Sequence, residues 1–425
     1  MKKSATFFLS LLFFCFALNT SSSAQNAETN GHWVSVWGIA EYAPFKFIPM
    51  PPEPDFSDVT IRMIVRPSIG SHRLRIRLSN EYGTSPLTIG AAHIALTDAG
   101  SKIVPETDRT LKFGGNSKVS IPAGAPIVSD PIDLPVKPLT EISISIYLPS
   151  NTPVSTWHRG SNRDTYIAGP GDRTSQIDLP DSKTKSAWYF LSSVEMWESN
   201  TTTTAVAFGD SITEGSNTGV AYTDYPDQLS ERLVRDKIDP PIAVINEGIG
   251  GNRILHNAAG DSALARFDKD VLSHPGVTDL IVLEGINDIG FPRVKADRLK
   301  IPNFKMTDFS PELVSADEII AGLEQMIVRA HEHGISVLGA TMTPYDGAVA
   351  YDADGEAIRQ AVNKWIRAAN AFDHVIDFDA VVRDPEHPAR LRAGFDSGDH
   401  IHPNPAGYKA MADSIVVSDL KATRQ

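Results

Sequence analysis

The sequence predicts an α/β protein in which an antiparallel β-sandwich or jelly-roll domain precedes a domain built on a parallel sheet. Three observations support this fold class. The chain has 425 residues, a length that suits two domains better than one. Its first half shows a period-two pattern of polar and apolar residues, and its second half alternates buried strands with helices. We therefore expect one domain at residues 25–200 and another at residues 201–425.

Four short segments of the first domain alternate polar and apolar residues, and turn-forming residues separate them. These segments are residues 60–65, 73–78, 118–121 and 141–148. Strict alternation is typical of strands with one buried face. Many short strands at even spacing favour an antiparallel sandwich or jelly roll, and we expect no amphipathic helix in this domain.

Buried strands and helices alternate in the second domain, which predicts βαβ units and a parallel sheet. The apolar runs that predict strands are residues 205–208, 243–246, 280–283, 336–340 and 374–378. The clearest helix spans residues 315–333, where Ser315 and Glu318 form a capping box and Gly334 marks the end. Further helices are predicted at residues 355–370 and 405–416.

The first 24 residues (1–24) have the features of a secretory signal peptide. Lys2 and Lys3 precede an apolar run at residues 5–18, and Ala24 ends a small-residue stretch suited to cleavage. The run is short for a membrane-spanning helix, so a retained anchor is the weaker alternative. Cys15 is the only cysteine, which leaves the mature chain without disulfides or a thiol nucleophile. We expect a secreted or periplasmic protein with no stable membrane anchor after cleavage.

The chain carries a formal net charge of −13, which argues against a nucleic-acid partner. Several catalytic schemes lack their motifs. There is no Gly-x-Ser-x-Gly elbow of the lipase-type α/β hydrolases and no phosphate-binding or dinucleotide-binding glycine motif. His331 and His333 flank Glu332 at a predicted helix end, where they suit capping better than metal binding. No zinc-hydrolase spacing occurs, and the sequence leaves the oligomeric state open.

A serine and a histidine–aspartate pair are the candidates for nucleophilic catalysis. Ser211 directly follows the first buried strand, although a lone Gly-Asp-Ser tripeptide also suits an ordinary helix N-cap. Near the C-terminus Asp399 precedes His402 by three residues, so its carboxylate can orient the imidazole that accepts the serine proton. His400 and Asp396 lie close by in sequence and offer the same side-chain types. The pair alone would also fit a surface loop or half of a metal site.

Two segments rich in glycine and asparagine follow the second and third predicted strands, at residues 246–252 and 284–288. Acyl transfer creates an oxyanion that needs fixed, neutral hydrogen-bond donors. Gly251 can bring its backbone N–H close to a ligand because it has no side chain, and Asn287 offers an uncharged side-chain NH₂. Taken singly, each segment could be a plain turn after a strand. Ligands bind at the carboxyl ends of parallel strands, so we expect all these candidates to lie together.

The four segments in this order resemble the SGNH, or GDSL, hydrolase superfamily. The matching blocks are residues 209–211, 246–252, 284–288 and 399–403, within a similarity that spans residues 205–415. The resemblance implies a three-layer α/β/α, flavodoxin-like domain and a serine ester hydrolase that needs no metal or cofactor. It makes Ser211 the nucleophile, with His402 and Asp399 as the other members of the triad. It assigns the oxyanion hole to the Gly251 N–H, the Asn287 side chain and the Ser211 N–H.

A narrower resemblance, carried by the N-terminal β region and by residues 246–253 and 397–408, points to a bacterial subfamily described as arylesterases or acylhydrolases. Some of its members are linked to xylan breakdown, which implies deacetylation of plant polysaccharides or oligosaccharides. The alternative is a lysophospholipase or a short-chain lipase-type acylhydrolase. The expected partner is in each case a small-molecule or polysaccharide ester.

A non-catalytic carbohydrate-binding protein is the hypothesis from another functional class. Five of the six tryptophans lie in the β region, and aromatic platforms bind sugar rings. Tryptophans in a sandwich are, however, more often part of its core. Hydrolysis of an ester, and its loss when Ser211 is replaced, separates the enzyme from the binding protein.

Overall fold

The structure is a computed structural model that describes residues 31–44, 53, 55–160, 162–294, 307–368 and 370–420. The predicted signal segment at residues 1–24, with Cys15, lies outside the described residues. Within the described ranges no helix is both long enough and apolar enough to cross a membrane.

Short antiparallel strands form the N-terminal region, as the period-two pattern predicts. The strands described here are β1 (Gly31–Gly38), β2 (Val59–Val65), β3 (Ser71–Ser79), β4 (Leu87–Ile89), β5 (Ala91–Ala99), β6 (Lys102–Ile103), β7 (Arg109–Thr110), β8 (Val119–Ile121), β9 (Pro126–Val128), β10 (Ile132–Val136), β11 (Ile142–Leu148), β12 (Trp157–Arg159), β13 (Thr165–Ala168), β14 (Lys183–Lys185), β15 (Ala187–Tyr189) and β16 (Leu191–Ser199). One larger sheet has the order β1-β16-β3-β10, with β9 also paired to β3. The other has the order β14-β13-β2-β11-β5-β6, with β7 also paired to β5. Two small sheets pair β12 with β15 and β4 with β8.

Both larger sheets contribute to one hydrophobic cluster, which explains the alternation in the sequence. In β3 the side chains of Leu74, Ile76 and Leu78 are buried, while the arginines between them are partly exposed. Val34 of β1 and Ile61 of β2 belong to the same cluster. The four strands predicted for this region are confirmed, with ends that differ by at most two residues.

A parallel sheet forms the C-terminal half of the described chain. Its strands are β17 (Thr203–Gly209), β18 (Ile242–Gly248), β19 (Val277–Leu283), β20 (Ser336–Ala340) and β21 (His374–Ile376). The order is β18-β17-β19-β20-β21, and each strand runs parallel to its neighbours. The first strand of this half therefore lies between the second and the third. In sheets of this order, ligands bind where the carboxyl ends of the first and third strands meet.

Helices connect these strands, and their positions agree with the sequence pattern. They are α1 (Ser211–Glu214), α2 (Tyr225–Arg235), α3 (Ala263–Phe267), α4 (Ile286–Gly290), α5 (Ala316–Glu332), α6 (Ala353–Ala368), α7 (Phe378–Val382) and α8 (Pro405–Ser414). A π-helical turn at Asp268–Leu272 continues α3. The predicted capping box between Ser315 and Glu318 is present at the start of α5, and Gly334 follows its end with a positive φ of 72°.

Two predicted boundaries move because an aspartate caps a helix. α6 begins before residue 355, since Asp352 accepts a hydrogen bond from the Gly355 N–H (2.7 Å). The strand predicted at residues 374–378 ends at Ile376, because Asp377 accepts a hydrogen bond from the Ala380 N–H and starts α7. Side-chain capping thus decides both boundaries where the apolar pattern alone does not.

The helices fall into two groups, and the helices of each group contact one another. α2 and α7 both contact α8, whereas α5 contacts α3 and α6, and α6 also contacts α4. The N-terminal region packs directly against the parallel sheet as well. Ala243 of β18 joins the hydrophobic cluster of the N-terminal sheets. The Thr204 hydroxyl donates to the Ser35 carbonyl (2.9 Å), and the Val244 N–H donates to the Ser68 hydroxyl (3.1 Å).

Candidate active site

The predicted site residues follow the carboxyl ends of the first three parallel strands. β17 ends two residues before Ser211, β18 ends three residues before Gly251, and β19 ends four residues before Asn287. Because these strands are adjacent and parallel, their carboxyl ends lie at one edge of the sheet. The loop before α8 supplies Asp399 and His402. The fold therefore brings all five residues to a common edge.

Ser211 is the first residue of the short helix α1 and is nearly buried, with 6% of its surface exposed. Asp210 caps this helix, because its carboxylate accepts a hydrogen bond from the Ile212 N–H (2.9 Å). Gly209 lacks a side chain at the point where β17 passes close to the Leu283 carbonyl, and a Cβ there would clash with that oxygen. The sharp change from strand to helix turns the serine hydroxyl away from the strand direction.

Ser211, His402 and Asp399 form a continuous hydrogen-bonded row. The Nε2 atom of His402 lies 2.7 Å from the Ser211 Oγ, and its Nδ1 atom lies 2.5 Å from the Asp399 Oδ2. Nδ1 faces a carboxylate, so it carries the proton, and Nε2 is then free to accept the serine proton. This is the geometry that a serine nucleophile, a general base and an orienting carboxylate require.

Asp399 is held ionised by several donors. Burial alone would raise the pKa of this carboxyl group, but hydrogen bonds from the His402 side chain and from the backbone N–H groups of His402 and Ile401 outweigh it. The pKa of Asp399 therefore lies well below its usual range. The neighbouring Asp396 does not compete for this role, since its carboxylate pairs with the exposed His400 (2.6 Å). The structure thus separates the two aspartate–histidine pairs that the sequence places side by side.

The three groups predicted to form an oxyanion hole each keep a hydrogen available for donation. Among the described residues, the hydrogen bonds assign no acceptor to the N–H of Ser211 or of Gly251. Gly251 has a positive φ of 82°, and a Cβ there would lie 3.1 Å from the Phe291 ring. Asn287 is 8% exposed and uses its NH₂ for one hydrogen bond, to the Asn252 carbonyl (2.9 Å). An amide NH₂ has two hydrogens, so one remains for a ligand.

Asn252 and Arg266 hold the segment after Gly251 in place through hydrogen bonds. The Asn252 side chain donates to the carbonyls of Ala259 (2.9 Å) and Asp261 (2.8 Å), which fixes the loop after Gly251. Arg266 is buried and its Nε atom donates to the Asn252 Oδ1 (2.9 Å).

The same guanidinium also joins the carboxyl ends of β17 and β18. It donates to the carbonyls of Gly209 (2.9 Å) and Glu247 (2.8 Å), and it pairs with the Asp270 carboxylate (2.9 Å). One arginine thus links the backbone before the nucleophile to the backbone before the candidate oxyanion-hole glycine. Its five donors in a rigid fork suit this task.

Buried carboxyl groups surround the serine. Burial raises the pKa of Asp210 to about 7, although the Ile212 N–H opposes the shift. Burial likewise raises the pKa of Asp288 to about 6, against hydrogen bonds from the Leu255 and Ile254 N–H groups. These groups hold backbone segments in place, and their charge state changes near neutral pH.

A second row of serine, histidine and acid occurs in the molecule, but it is sealed inside. The Ser35 hydroxyl lies 3.1 Å from the His274 Nδ1, and the His274 Nε2 lies 3.0 Å from the Glu247 carboxylate. Ser35 and Glu247 are both fully buried. An ester cannot reach this serine, so the row joins β1 to the parallel sheet and the accessible row at Ser211 is the candidate active site.

The sequence predicted no role for three residues that support the site. Asn217 donates to the Asp399 Oδ2 (2.6 Å), and Asn252 and Arg266 support the candidate oxyanion donors. Asn252 lies within a motif segment, but nothing in the pattern distinguishes its role. Arg266 has the spacing of an ordinary charged residue on a helix, and Asn217 lies in a turn-like segment. A single sequence carries no signal for either.

The histidines of the 331–333 segment do not join the site. His331 pairs with Asp373 (2.8 Å), and the His333 ring contacts the Arg329 carbonyl in the last turn of α5 (3.0 Å). Within the part of the chain that the structure describes, no group of three or more histidine, cysteine, aspartate or glutamate side chains is placed to hold a metal ion.

Comparisons with known proteins relate the second half of the chain to a hydrolase family. The sequence model of the GDSL-like lipase/acylhydrolase family matches residues 207–410, a range that includes all five predicted site residues. A search of curated proteins finds no match to this chain.

Solved structures cover about half of the chain. One is Axe2, an acetylxylan esterase from Geobacillus stearothermophilus, with 19% identity over 52% of this chain and 97% of that chain, and a TM-score of 0.36. Another is the acetyl xylan esterase AlAXEase, with 24% identity over 50% of this chain and 96% of that chain, and a TM-score of 0.35. A GDSL-like lipase from Bacteroides thetaiotaomicron VPI-5482 has 16% identity over 51% of this chain and 87% of that chain, and a TM-score of 0.35.

Proposed function

Since residues 207–410 are a domain of the GDSL-like lipase/acylhydrolase family and the chain is a carboxylic ester hydrolase, we propose that it cleaves its ester through an acyl-serine intermediate. The observation that carries this proposal is the row from Ser211 through His402 to Asp399, with distances of 2.7 and 2.5 Å.

Acylation begins when the Ser211 oxygen attacks the ester carbonyl and His402 takes its proton at Nε2. Asp399 stabilises the imidazolium that results. The N–H groups of Ser211 and Gly251 and the free Asn287 hydrogen donate to the oxyanion. The imidazolium then protonates the leaving alcohol, and the carbonyl re-forms as the acyl-serine ester.

Deacylation repeats these steps with water. His402 removes a proton from a water molecule that attacks the acyl carbon, and the same donors hold the second oxyanion. The imidazolium returns its proton to the Ser211 oxygen as the acid leaves. Every group in this scheme belongs to the chain, so we expect hydrolysis to continue unchanged in EDTA.

Hydrolysis of p-nitrophenyl acetate by the wild type and by Ser211→Ala tests the proposed mechanism. We expect the variant to lose at least about 10³-fold in kcat while it keeps the wild-type fold. Equal activity of the two proteins would exclude Ser211 as the nucleophile. Absence of activity in both, with retention on an insoluble polysaccharide, would favour the carbohydrate-binding protein instead. Against that alternative, Trp157 and Trp188 are buried, and Trp33 and Trp197 pack edge to face against each other (5.4 Å).

We propose acetylated plant polysaccharides or oligosaccharides as the substrate, with lysophospholipids or short-chain lipids as the alternative. The support is the sequence similarity of residues 246–253 and 397–408 to a bacterial subfamily with links to xylan breakdown. Acetate release from acetylated xylan, compared with fatty-acid release from a lysophospholipid at equal ester concentration, tests the choice. Faster release from the lysophospholipid would reverse it.

We also propose that the chain is exported and organised as a signal peptide at residues 1–24, a β-sandwich domain at 25–200 and a three-layer α/β/α hydrolase domain at 201–425. The two hydrophobic clusters and the two groups of helices support the domain division and the layers. N-terminal sequencing of the exported protein tests the signal. A mature chain that starts at Gln25 is expected, and an intact N-terminus would contradict it.

A further inference from the structure

The segment at residues 214–224, which comprises Glu214 at the end of α1 and the loop that leads to α2, contacts both the N-terminal β region and the triad. It leaves the nucleophile helix, passes the candidate triad aspartate and ends where α2 starts. Side-chain interactions make both kinds of contact. Together they connect the β region to the acid–base pair of the site.

On the triad side, the contact is made by Asn217. Its Nδ2 atom donates to the Asp399 Oδ2 (2.6 Å), the same oxygen that faces the His402 ring, and lies 3.4 Å from the His402 Nδ1. The residue adopts a positive φ of 61°, a conformation that asparagine tolerates better than most residues. Tyr408 of α8 steadies the same stretch, because its hydroxyl donates to the Ser216 carbonyl (3.1 Å).

On the other side, the N-terminal region contacts this loop at three positions. His158 pairs with Glu214 (3.2 Å), and the Asn162 side chain donates to the Thr218 hydroxyl (3.0 Å). The Tyr222 hydroxyl bonds to Glu141.

The Tyr222 ring is also clamped between two arginines of the N-terminal region. The guanidinium carbons of Arg163 and Arg66 lie 3.1 and 3.6 Å from its centre. A guanidinium near the face of an aromatic ring is attracted by the π electrons, so both contacts hold Tyr222 in place. The loop is therefore attached to the β region at its start, middle and end.

We propose that Asn217 is a positioning residue of the triad and that the N-terminal β region holds it in place. The amide N–H fixes the rotation of the Asp399 carboxylate and shares its negative charge with the His402 ring. The β region thus helps to build the active site, whatever ester the enzyme cleaves. The inference rests on the proposed function, because it assigns a part in the triad that Ser211, His402 and Asp399 form.

The expected signature is a shift in the pH dependence of hydrolysis. Without the amide donor, more of the Asp399 negative charge faces the imidazolium that forms during catalysis, so the acid limb of the profile moves to higher pH. The other titratable groups that act on the pair are Asp210, next to the serine, and Tyr408 on α8. Variants at Asn217 leave both of these in place.

Asn217→Gly and Asn217→Asp test the proposal with p-nitrophenyl acetate, because both residues tolerate the positive φ. We expect Asn217→Gly to lower kcat about threefold to tenfold, with little change in KM. Its acid limb is expected to move up by about half a pH unit. Asn217→Asp adds a second carboxylate and is expected to move the limb further in the same direction. A wild-type pH profile and kcat in both variants would overturn the proposal.

A double variant tests the role of the β region. Asn162→Ala combined with Tyr222→Phe removes two hydrogen bonds to the loop without changing its backbone. We expect it to shift the acid limb in the same direction as Asn217→Gly, and to add no further shift when combined with that variant. An additive effect, or no effect, would exclude the β region as the support of Asn217.

Thr204→Val is the matched control. It removes another hydrogen bond to the N-terminal region, at the opposite end of β17 from Ser211. We expect lower thermal stability with an unchanged pH profile. The two failures can be distinguished with Ser211→Ala. If only this inference is wrong, Ser211→Ala is still inactive. If the proposed function is wrong, Ser211→Ala keeps its activity.

Discussion

Replacing Asn287 by alanine separates two contributions of one buried side chain. Its NH₂ donates one hydrogen bond to the Asn252 carbonyl (2.9 Å), and we propose that its second hydrogen binds the oxyanion. The first contact is present before substrate binds and affects the stability of the fold. The second forms only as negative charge develops on the carbonyl oxygen, and it therefore affects kcat.

The magnitudes follow from the surroundings. Asn287 is 8% exposed, so its loss leaves the Asn252 carbonyl without this donor in a buried place, at a cost of about 1–3 kcal/mol in the free energy of unfolding. Loss of one oxyanion donor costs roughly 10²- to 10³-fold in kcat, or about 2.7–4 kcal/mol. We expect KM to change little, because the ground-state carbonyl carries less charge than the oxyanion.

Asn363→Ala provides the matched control. Asn363 is also buried, and its side chain donates to the Met342 carbonyl (2.8 Å) and accepts from the Met342 N–H (2.8 Å). Both variants should lose stability in urea denaturation, and Asn363→Ala should lose at least as much as Asn287→Ala. Only Asn287→Ala should lose kcat in p-nitrophenyl acetate hydrolysis, measured well below both melting temperatures. A fall in kcat below about threefold would remove Asn287 from the oxyanion hole.

Four further variants test the supporting groups and the choice of the triad aspartate. Arg266→Met leaves Asp270 buried without its main partner, so urea denaturation should show a loss of about 3–5 kcal/mol, and a loss under about 1 kcal/mol would contradict the bracing role. Asp210→Asn removes a carboxyl group whose pKa burial raises to about 7. The folded wild type keeps a proton that the unfolded chain loses, so its stability falls as the pH rises from about 4 to about 7. The Tm difference should therefore shift in favour of Asp210→Asn between about pH 4 and about pH 7, and a constant difference would refute the raised pKa. Asp399→Asn should lower kcat roughly 10⁴-fold, whereas Asp396→Asn should change it less than about threefold, and equal effects would mean that the wrong pair is assigned.

Periodicity predicted most of the fold because burial acts on every residue of a strand or helix. Strands such as β3 and β19 are recognisable from their own residues, since one buries alternate side chains and the other buries all of them. Boundaries were less predictable. They depend on single capping residues such as Asp352 and Asp377. Each cap acts at one end of a helix, and there it stabilises the helix about as much as the burial of an apolar residue does.

The site was predictable where function fixes both the residue type and its place after a strand. Ser211, Gly251 and Asn287 meet that condition because adjacent parallel strands bring their carboxyl ends together. Asn217 and Arg266 could not be found in this way. Their roles depend on partners that are distant in sequence, since Asn217 meets Asp399 only after the chain folds and Arg266 joins carbonyls at the ends of two different strands.

Covalent labelling of the nucleophile tests the central claim most directly. An organophosphonate ester that reacts with activated serine hydroxyls is incubated with the wild type, and the digested protein is analysed by mass spectrometry. We expect one adduct, on the peptide that contains Ser211, with loss of esterase activity in proportion to labelling and no adduct in His402→Ala. An adduct on another serine, or full activity in protein labelled at Ser211, would contradict the assignment.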